Sequence, residues 1–270
     1  MPRLPLPAPV GSARTMQWVG QPVSRDGVLD SSFTLEVDGR VVPGVLWTPE
    51  GATGPRPLVL LGHGASRHKR VGHLVALAAR LVRRHRFAAA AIDGAGHGER
   101  RPDRGVDPIK VFGEFPAEWS RPGSTDEMVA DWTATLEALR ELDEVGDGPV
   151  GYWGLSMGTI YGLPFVAGEP RVQAAVLGLM GLAGPTRDRL ESDARRVTCP
   201  VLVIQQWDDE LFSREHVFAL FETLGTLDKR LHAHPGAHAA VPAEEMAFSA
   251  RFLAHHLSHQ PLTELEREEF

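Results

Sequence analysis

The chain has 270 residues, 43% of them hydrophobic and 23% charged, with a formal net charge of −7. That is an ordinary globular composition, long enough to bury a large core in one α/β domain. The acidic balance gives nucleic acid no electrostatic footing, and no stretch approaches 18 apolar residues, so no membrane-spanning helix is expected.

Taken in order, residues 1–30 are rich in proline and glycine and read as an arm on the domain surface. The proline-dense start lacks the apolar run of a signal peptide. Residues 32–37 alternate, Asp38-Gly39 marks a turn, and residues 41–48 run extended: a β-hairpin. Residues 57–62 form a wholly apolar strand, followed by His63-Gly64-Ala65-Ser66. Residues 70–84 carry apolar side chains at helical spacing, and residues 87–92 form the next buried strand, closed by Asp93-Gly94-Ala95-Gly96-His97-Gly98. Strand, helix and strand with short connections predict a right-handed βαβ unit.

Residues 99–123 break this rhythm. They are polar and lack clear periodicity, but include Phe112, Phe115 and Trp119. They read as a long loop, either a lid over a site at about 100–123 or an insertion packed on the surface. A helix start at Ser124-Thr125-Asp126-Glu127 continues as an amphipathic helix over residues 128–142. After the elbow described next come a strand at 172–179, a short helix within 181–198, a strand at 200–205, a helix at 213–224, a strand at 229–234 and a final helix at 242–256. The domain is read as residues 31–260, with a charged tail at 261–270. Cys199, the only cysteine, cannot form an intrachain disulfide and precedes Pro200 as a structural thiol. A cytoplasmic protein is the expectation.

The centre of this order is residues 149–163. A short apolar run at 150–153 meets Gly154-Leu155-Ser156-Met157-Gly158, and a packed helix follows at 159–167. Strand, sharp turn and helix is the context of a G-x-S-x-G nucleophile elbow. The strained turn demands small residues two before and two after the serine, here Gly154 and Gly158. It lifts the hydroxyl clear of the sheet and puts the Met157 N–H at the positive end of the helix.

A serine hydroxyl needs a base, and the base an orienting carboxylate. In a parallel sheet such groups sit past the C-terminal ends of strands. The strand after the short helix ends in Trp207-Asp208-Asp209-Glu210-Leu211, which points to Asp209 as the acid if Leu211 anchors the turn inward, with Asp208 as the alternative. The next strand ends in Pro235-Gly236-Ala237-His238, and His238 in its small-residue turn is the expected base. His232 and His234 share one strand face and read as structural. An oxyanion needs two donors, expected from the N–H groups of Met157 and Ala65. His63, Gly64, Phe112, Phe115, Trp119 and Trp207 are the candidate pocket residues. Arg67, Lys69 and Arg70 either favour acidic substrates or form a solvated helix start. The twelve histidines show no metal spacing and there is no H-E-x-x-H, so no metal or organic cofactor is expected.

Together these motifs resemble the α/β-hydrolase superfamily over about residues 32–258. The resemblance is strongest to its dienelactone hydrolase-like and small carboxylesterase branch, which has an N-terminal hairpin and little cap. It implies a mostly parallel sheet of about eight strands, an N-terminal antiparallel hairpin and helices on both faces. Dienelactone hydrolase itself uses cysteine where this chain has Ser156, which puts that substrate in doubt. Haloalkane dehalogenases and epoxide hydrolases of the fold use aspartate there, so neither is expected. The implied activity is a serine hydrolase of small to medium esters working through Ser156, Asp209 and His238. A thioesterase, lactonase, acyltransferase or peptidase would use the same residues, and a ligand-binding protein on this scaffold is the non-catalytic alternative. The expected partner is a small-molecule ester, and a homodimer is an open expectation.

Overall fold

The computed structural model describes residues 16–258. It begins with three antiparallel strands, β1 (Gln17–Arg25), β2 (Val28–Val37) and β3 (Arg40–Pro49). Asp38 and Gly39, with φ of 49° and 75°, make the two-residue turn between β2 and β3, in which both central residues need positive φ. Asp26 and Gly27 repeat it between β1 and β2, with φ of 50° and 76°.

Strand β1 corrects the expectation of an arm over residues 1–30, whose first fifteen residues lie outside the described chain. Every residue of β1 is exposed, so it lacks the alternation by which a strand is recognised. Its pairing with β2 shifts register between Val19 and Val23, around Pro22, as an edge strand tolerates. The Asp26-Gly27 pair was the available signal.

The α/β part then runs β4 (Leu58–Gly62), α1 (Gly72–His85) and β5 (Ala88–Ile92). Helix α1 buries Leu74, Leu77, Ala78, Leu81 and Val82, one stripe of a 3.6-residue period. The segment expected as a loop contains helix α2 (Pro108–Ser120), a second correction. Asp107 caps it, accepting from the N–H groups of Ile109 and Lys110, and Pro108 opens it. Val111, Phe115 and Trp119 are buried at four-residue spacing. Gly113 and Pro116 masked this periodicity in the sequence.

There follow α3 (Ser124–Arg140), β6 (Val150–Gly154), α4 (Met157–Gly168), β7 (Val172–Gly178) and the short α5 (Arg187–Ala194). The chain continues through β8 (Val201–Gln206), α6 (Arg214–Thr223), β9 (Lys229–His234) and α7 (Ala243–Ser258). The expected charged tail at 261–270 lies outside the described residues.

Among the described residues nine strands form one sheet, ordered β1-β2-β3-β5-β4-β6-β7-β8-β9. The pairs β5-β4, β4-β6, β6-β7, β7-β8 and β8-β9 are parallel. One core lies between the sheet and α1 with α7, and the other beneath α3, α4, α5 and α6. Tyr152 and Trp153 of β6 feed opposite cores, as strand alternation requires. The strand order reverses at β4, which has β5 on one side and β6 on the other. Ligands of open α/β sheets bind at the carboxyl ends of strands at such a switch point. The loop after β4 and the turn after β6 meet there. Among the described residues no helix is long and apolar enough to cross a membrane.

Candidate active site

Ser156 sits between β6 and α4 with φ 58° and ψ −118°, a conformation that an L-residue holds only under compulsion from its surroundings. The compulsion is close packing. A Cβ at Gly158 would lie 2.7 Å from the Gly62 carbonyl oxygen, and one at Gly154 would lie 2.8 Å from that of Gly158. The Ser156 N–H donates to the Gly178 carbonyl at 2.9 Å. The Thr159 hydroxyl lies 2.8 Å from both the Gly154 and Gly178 carbonyl oxygens. The turn is thereby tied to β6 and β7 together.

His238 Nδ1 lies 2.8 Å from Asp209 Oδ2, and His238 Nε2 lies 3.0 Å from Ser156 Oγ. A carboxylate only accepts, so Nδ1 carries the hydrogen and Nε2 is left to accept from the serine hydroxyl. Burial alone would raise the Asp209 carboxyl. The His238 hydrogen bond and the N–H groups of Phe212 and Leu211 outweigh it and hold the group below its ordinary value. It is Asp209 and not Asp208 that meets the imidazole. The expected anchor was different, however: the Leu211 side chain is 43% exposed, and its backbone N–H does the holding.

All three consecutive acids serve the histidine loop. Asp208 accepts from the Gly236 N–H at 3.2 Å, and Glu210 accepts from the His238 N–H at 2.9 Å. Sequence reading treated Asp208 as a rival to Asp209 and gave Glu210 no role. Their spacing along one turn, facing one loop, was the missed signal.

Met157 is the first residue of α4, so its N–H has no acceptor within the helix. Ala65 and Gly64 line the same cavity as Ser156 and His238. Two buried histidines support the Ala65 loop from behind. His63 Nδ1 donates to the Gly64 carbonyl at 2.9 Å, and its Nε2 accepts from the Gly94 N–H at 2.9 Å. Burial pushes this ring down to about 3, so it is neutral at physiological pH. His97 Nε2 lies 2.5 Å from the Ala65 carbonyl oxygen, a positioning contact that the sequence did not reveal. Burial lowers its pKa as well.

Lys69 and Arg70 are neither substrate-facing nor a solvated helix start. Lys69 Nζ is buried 2.6 Å from Asp93 Oδ2, and Arg70 grips both carboxylate oxygens of Asp30 at 2.5 and 2.7 Å. Of the three cations, Arg67 alone lines the cavity.

That cavity measures about 230 Å³. Phe112, Trp153, Leu155, Leu179, Val241 and Met246 give it an apolar wall beside Ser156 and His238. Of the expected pocket residues, Gly64 and Phe112 are in place. Phe115 and Trp119 instead stack on each other at 5.8 Å inside the core, because they lie on the buried stripe of α2. His63 is behind the wall, and Trp207 is outside it, under the Arg214 guanidinium at 4.4 Å. Two larger clefts, of about 490 Å³ beside α2 and about 420 Å³ between β1, β2 and α1, do not include Ser156.

A serine hydroxyl aligned on an imidazole, a carboxylate behind that imidazole and an N–H that the helix itself leaves unused is an arrangement competent for acyl transfer. The chain is also similar to known proteins. A cold-adapted esterase from an Arctic intertidal metagenomic library, in a PEG-bound complex, is 44% identical, with 89% of this chain and 99% of that chain covered and a TM-score of 0.80. A zinc-bound structure of that esterase is 41% identical over the same shares, with a TM-score of 0.77. The acetyl xylan esterase from Paenibacillus sp. R4 is 18% identical over 91% of this chain and 89% of that one, with a TM-score of 0.69, and this likeness speaks for the fold alone. Residues 182–240 match the X-Pro dipeptidyl-peptidase (S15 family) model, a span that includes Asp209 and His238. No curated protein matches the chain.

Proposed function

The chain belongs to the α/β-hydrolase esterase family, and on that premise we propose that it is a cytoplasmic serine esterase of small to medium carboxylic esters. The observation that carries this reading is the continuous line from Ser156 Oγ through His238 to Asp209, opening on an apolar cavity.

In the proposed reaction His238 Nε2 takes the Ser156 proton as Oγ attacks the ester carbonyl. The Met157 and Ala65 N–H groups receive the oxyanion, and Asp209 stabilises the imidazolium. The C–O bond of the ester breaks, and His238 returns the proton to the departing alcohol. Water then attacks the acyl-enzyme, giving its proton to His238, and the acid leaves as Ser156 Oγ is reprotonated. One structure of the Arctic esterase is zinc-bound, which makes zinc a candidate ligand of this chain as well; ester cleavage itself is assigned here to side chains and backbone N–H groups.

Substrate size follows from the cavity. At about 230 Å³ it is smaller than the ~300–1,000 Å³ usual for drug-sized ligands, which favours one short acyl or alcohol group at a time. A dipeptidyl-peptidase needs a carboxylate to hold a protonated amino terminus. The cavity lining offers Arg67 and no aspartate or glutamate, which supports an ester over an X-Pro peptide.

The test is a p-nitrophenyl ester series from acetyl to dodecanoyl with wild type and Ser156→Ala. Turnover of short chains, lost by at least about 10³-fold in the variant, is expected. No turnover of any ester would remove the esterase reading and direct the search to thioesters, amides or plain ligand binding.

A further inference from the structure

On the face of the sheet that carries α7, the edge strand β9 places two histidines side by side. His232 and His234 are two residues apart, so both point to the same face. Glu245, in the first turn of α7, reaches between them. His232 Nδ1 lies 2.9 Å from Glu245 Oε2, and His234 Nε2 lies 2.7 Å from the same oxygen. One ligand atom from each residue falls within 4.8 Å of the other two.

The carboxylate makes this cluster more than a polar contact. Glu245 is 2% exposed, and its only ion-pair partners among the described residues are these two imidazoles. A buried carboxylate needs a compensating positive charge. The two imidazoles give it hydrogen bonds, and their nitrogens are also the commonest side-chain ligands of transition metals. A divalent cation supplies the charge directly.

We propose that His232, His234 and Glu245 form a zinc site that staples β9 to α7. Two imidazole nitrogens and one carboxylate oxygen suit Zn²⁺ better than Ca²⁺ or Mg²⁺, which prefer all-oxygen shells. Zinc takes imidazole in its neutral form and carboxylate as the anion, so in the loaded site the hydrogen of each ring sits on the nitrogen that faces away from Glu245, and any further proton is released to solvent. Ligands about 2.0–2.2 Å from zinc stand roughly 3.3 Å apart in a tetrahedron, so the present contacts open by only a few tenths of an ångström. The histidine side chains are 29% and 21% exposed, which leaves an entry path and room for water as fourth ligand. The ion would also fix the strand end four residues before His238. There the His234 carbonyl accepts from the Trp207 N–H at 2.7 Å, next to the acidic turn that holds the histidine loop. The site is independent of how Ser156 is read. Its third ligand lies eleven residues past His234 and on another element, which is why histidine spacing alone did not show it.

The experiment is calorimetric titration of the metal-free full chain with ZnCl₂, alongside thermal unfolding with and without the ion. Wild type and His238→Ala are expected to bind one Zn²⁺ per chain and to gain in Tm. The double variant H232Q/H234Q is expected to lose both effects, and Glu245→Gln, which keeps the shape of the buried side chain, to weaken binding by at least about tenfold. No binding by wild type, undiminished binding by both variant proteins, or loss in His238→Ala alone would overturn the proposal, the last by moving the ion to the Ser156 site. Should H232Q/H234Q fail to fold, Glu245→Gln decides.

Discussion

The Tyr152 hydroxyl donates to the Gly158 carbonyl at 2.7 Å, joining the strand that enters the nucleophile turn to the helix that leaves it. The phenol lies directly under Ser156's turn. A Cβ on Gly62, Gly154 or Gly162 would approach its hydroxyl oxygen to 2.3, 2.7 and 2.3 Å. Burial raises the phenol's pKa well above its ordinary value, so it is always a donor. Tyr152→Phe keeps the ring but leaves the Gly158 carbonyl without that partner. Urea unfolding should show a loss of about 1–3 kcal/mol, with kcat lowered and KM little changed. An unchanged kcat would mean that the glycine packing holds the turn without the hydroxyl.

Asp209 and Asp208 are adjacent but hold different things: an imidazole and a backbone N–H. Asp209→Asn should preserve the hydrogen-bonded shape and present the wrong tautomer to Ser156, lowering kcat by about 10⁴-fold. Asp208→Asn keeps an oxygen for the Gly236 N–H and should cost less than about tenfold. Equal losses in the two variants would sink the assignment of Asp209.

Much of this site is legible in the sequence because it is local. The elbow, its glycines and the loops after β4 and β8 sit where runs of apolar residues stop, and a buried parallel strand is hard to mistake; the loop after the partly buried β9 is marked by its own Pro235-Gly236-Ala237-His238. What escaped is of two kinds. Strand β1 has no buried side chain, and α2 carries Gly113 and Pro116, so each hides the period that would identify it. The other kind is long-range. His97 on the Ala65 carbonyl, Lys69 on Asp93 and Glu245 between two histidines are pairings across 32, 24 and 11 to 13 residues. Only the folded topology brings them together.

The buried histidines set a pH dependence of stability. His63 is pushed down to about 3, whereas an unfolded chain protonates it near its ordinary value of 6.5. Between these values the unfolded state binds more protons, so stability is full above about pH 6.5 and declines as pH falls toward 3. One such group contributes at most about 1.4 kcal/mol per pH unit. Burial lowers His73 and His97 too, adding slope of the same sign. Asp93 and Asp209 are held below their ordinary values, so their stabilisation is intact above about pH 4 and is lost only as pH falls through their folded-state values. Urea unfolding at pH 7 and pH 5 should therefore show a loss that His63→Gln reduces. An identical loss in that variant would refute the assignment.

Lys69 and Asp93 form a pair in which both side chains are almost fully buried, at 4% and 0% exposure. Removing one partner strands the other charge beneath the Ala65 loop. Lys69→Met should destabilise by about 3–5 kcal/mol, whereas replacing both residues by apolar ones of similar size should recover part of that. A single-variant loss below about 1 kcal/mol would show that water and the Glu99 backbone N–H, which donates to Asp93 Oδ2 at 2.9 Å, suffice to hold Asp93.

Phe112 is the point at which α2 reaches the proposed substrate. It is 45% exposed at the cavity wall, while Phe115 and Trp119 anchor the same helix in the core. Truncating Phe112 should therefore change the pocket and not the fold. Phe112→Ala should keep its unfolding free energy within about 0.5 kcal/mol of wild type, lose kcat/KM on acetyl and butyryl esters, and move the chain-length optimum upward. Phe115→Ala is the contrasting variant, destabilising by about 3–5 kcal/mol because its ring is core. If Phe112→Ala leaves the chain-length profile unchanged, α2 does not shape the acyl site and the small cavity is set by Trp153, Leu155, Leu179, Val241 and Met246.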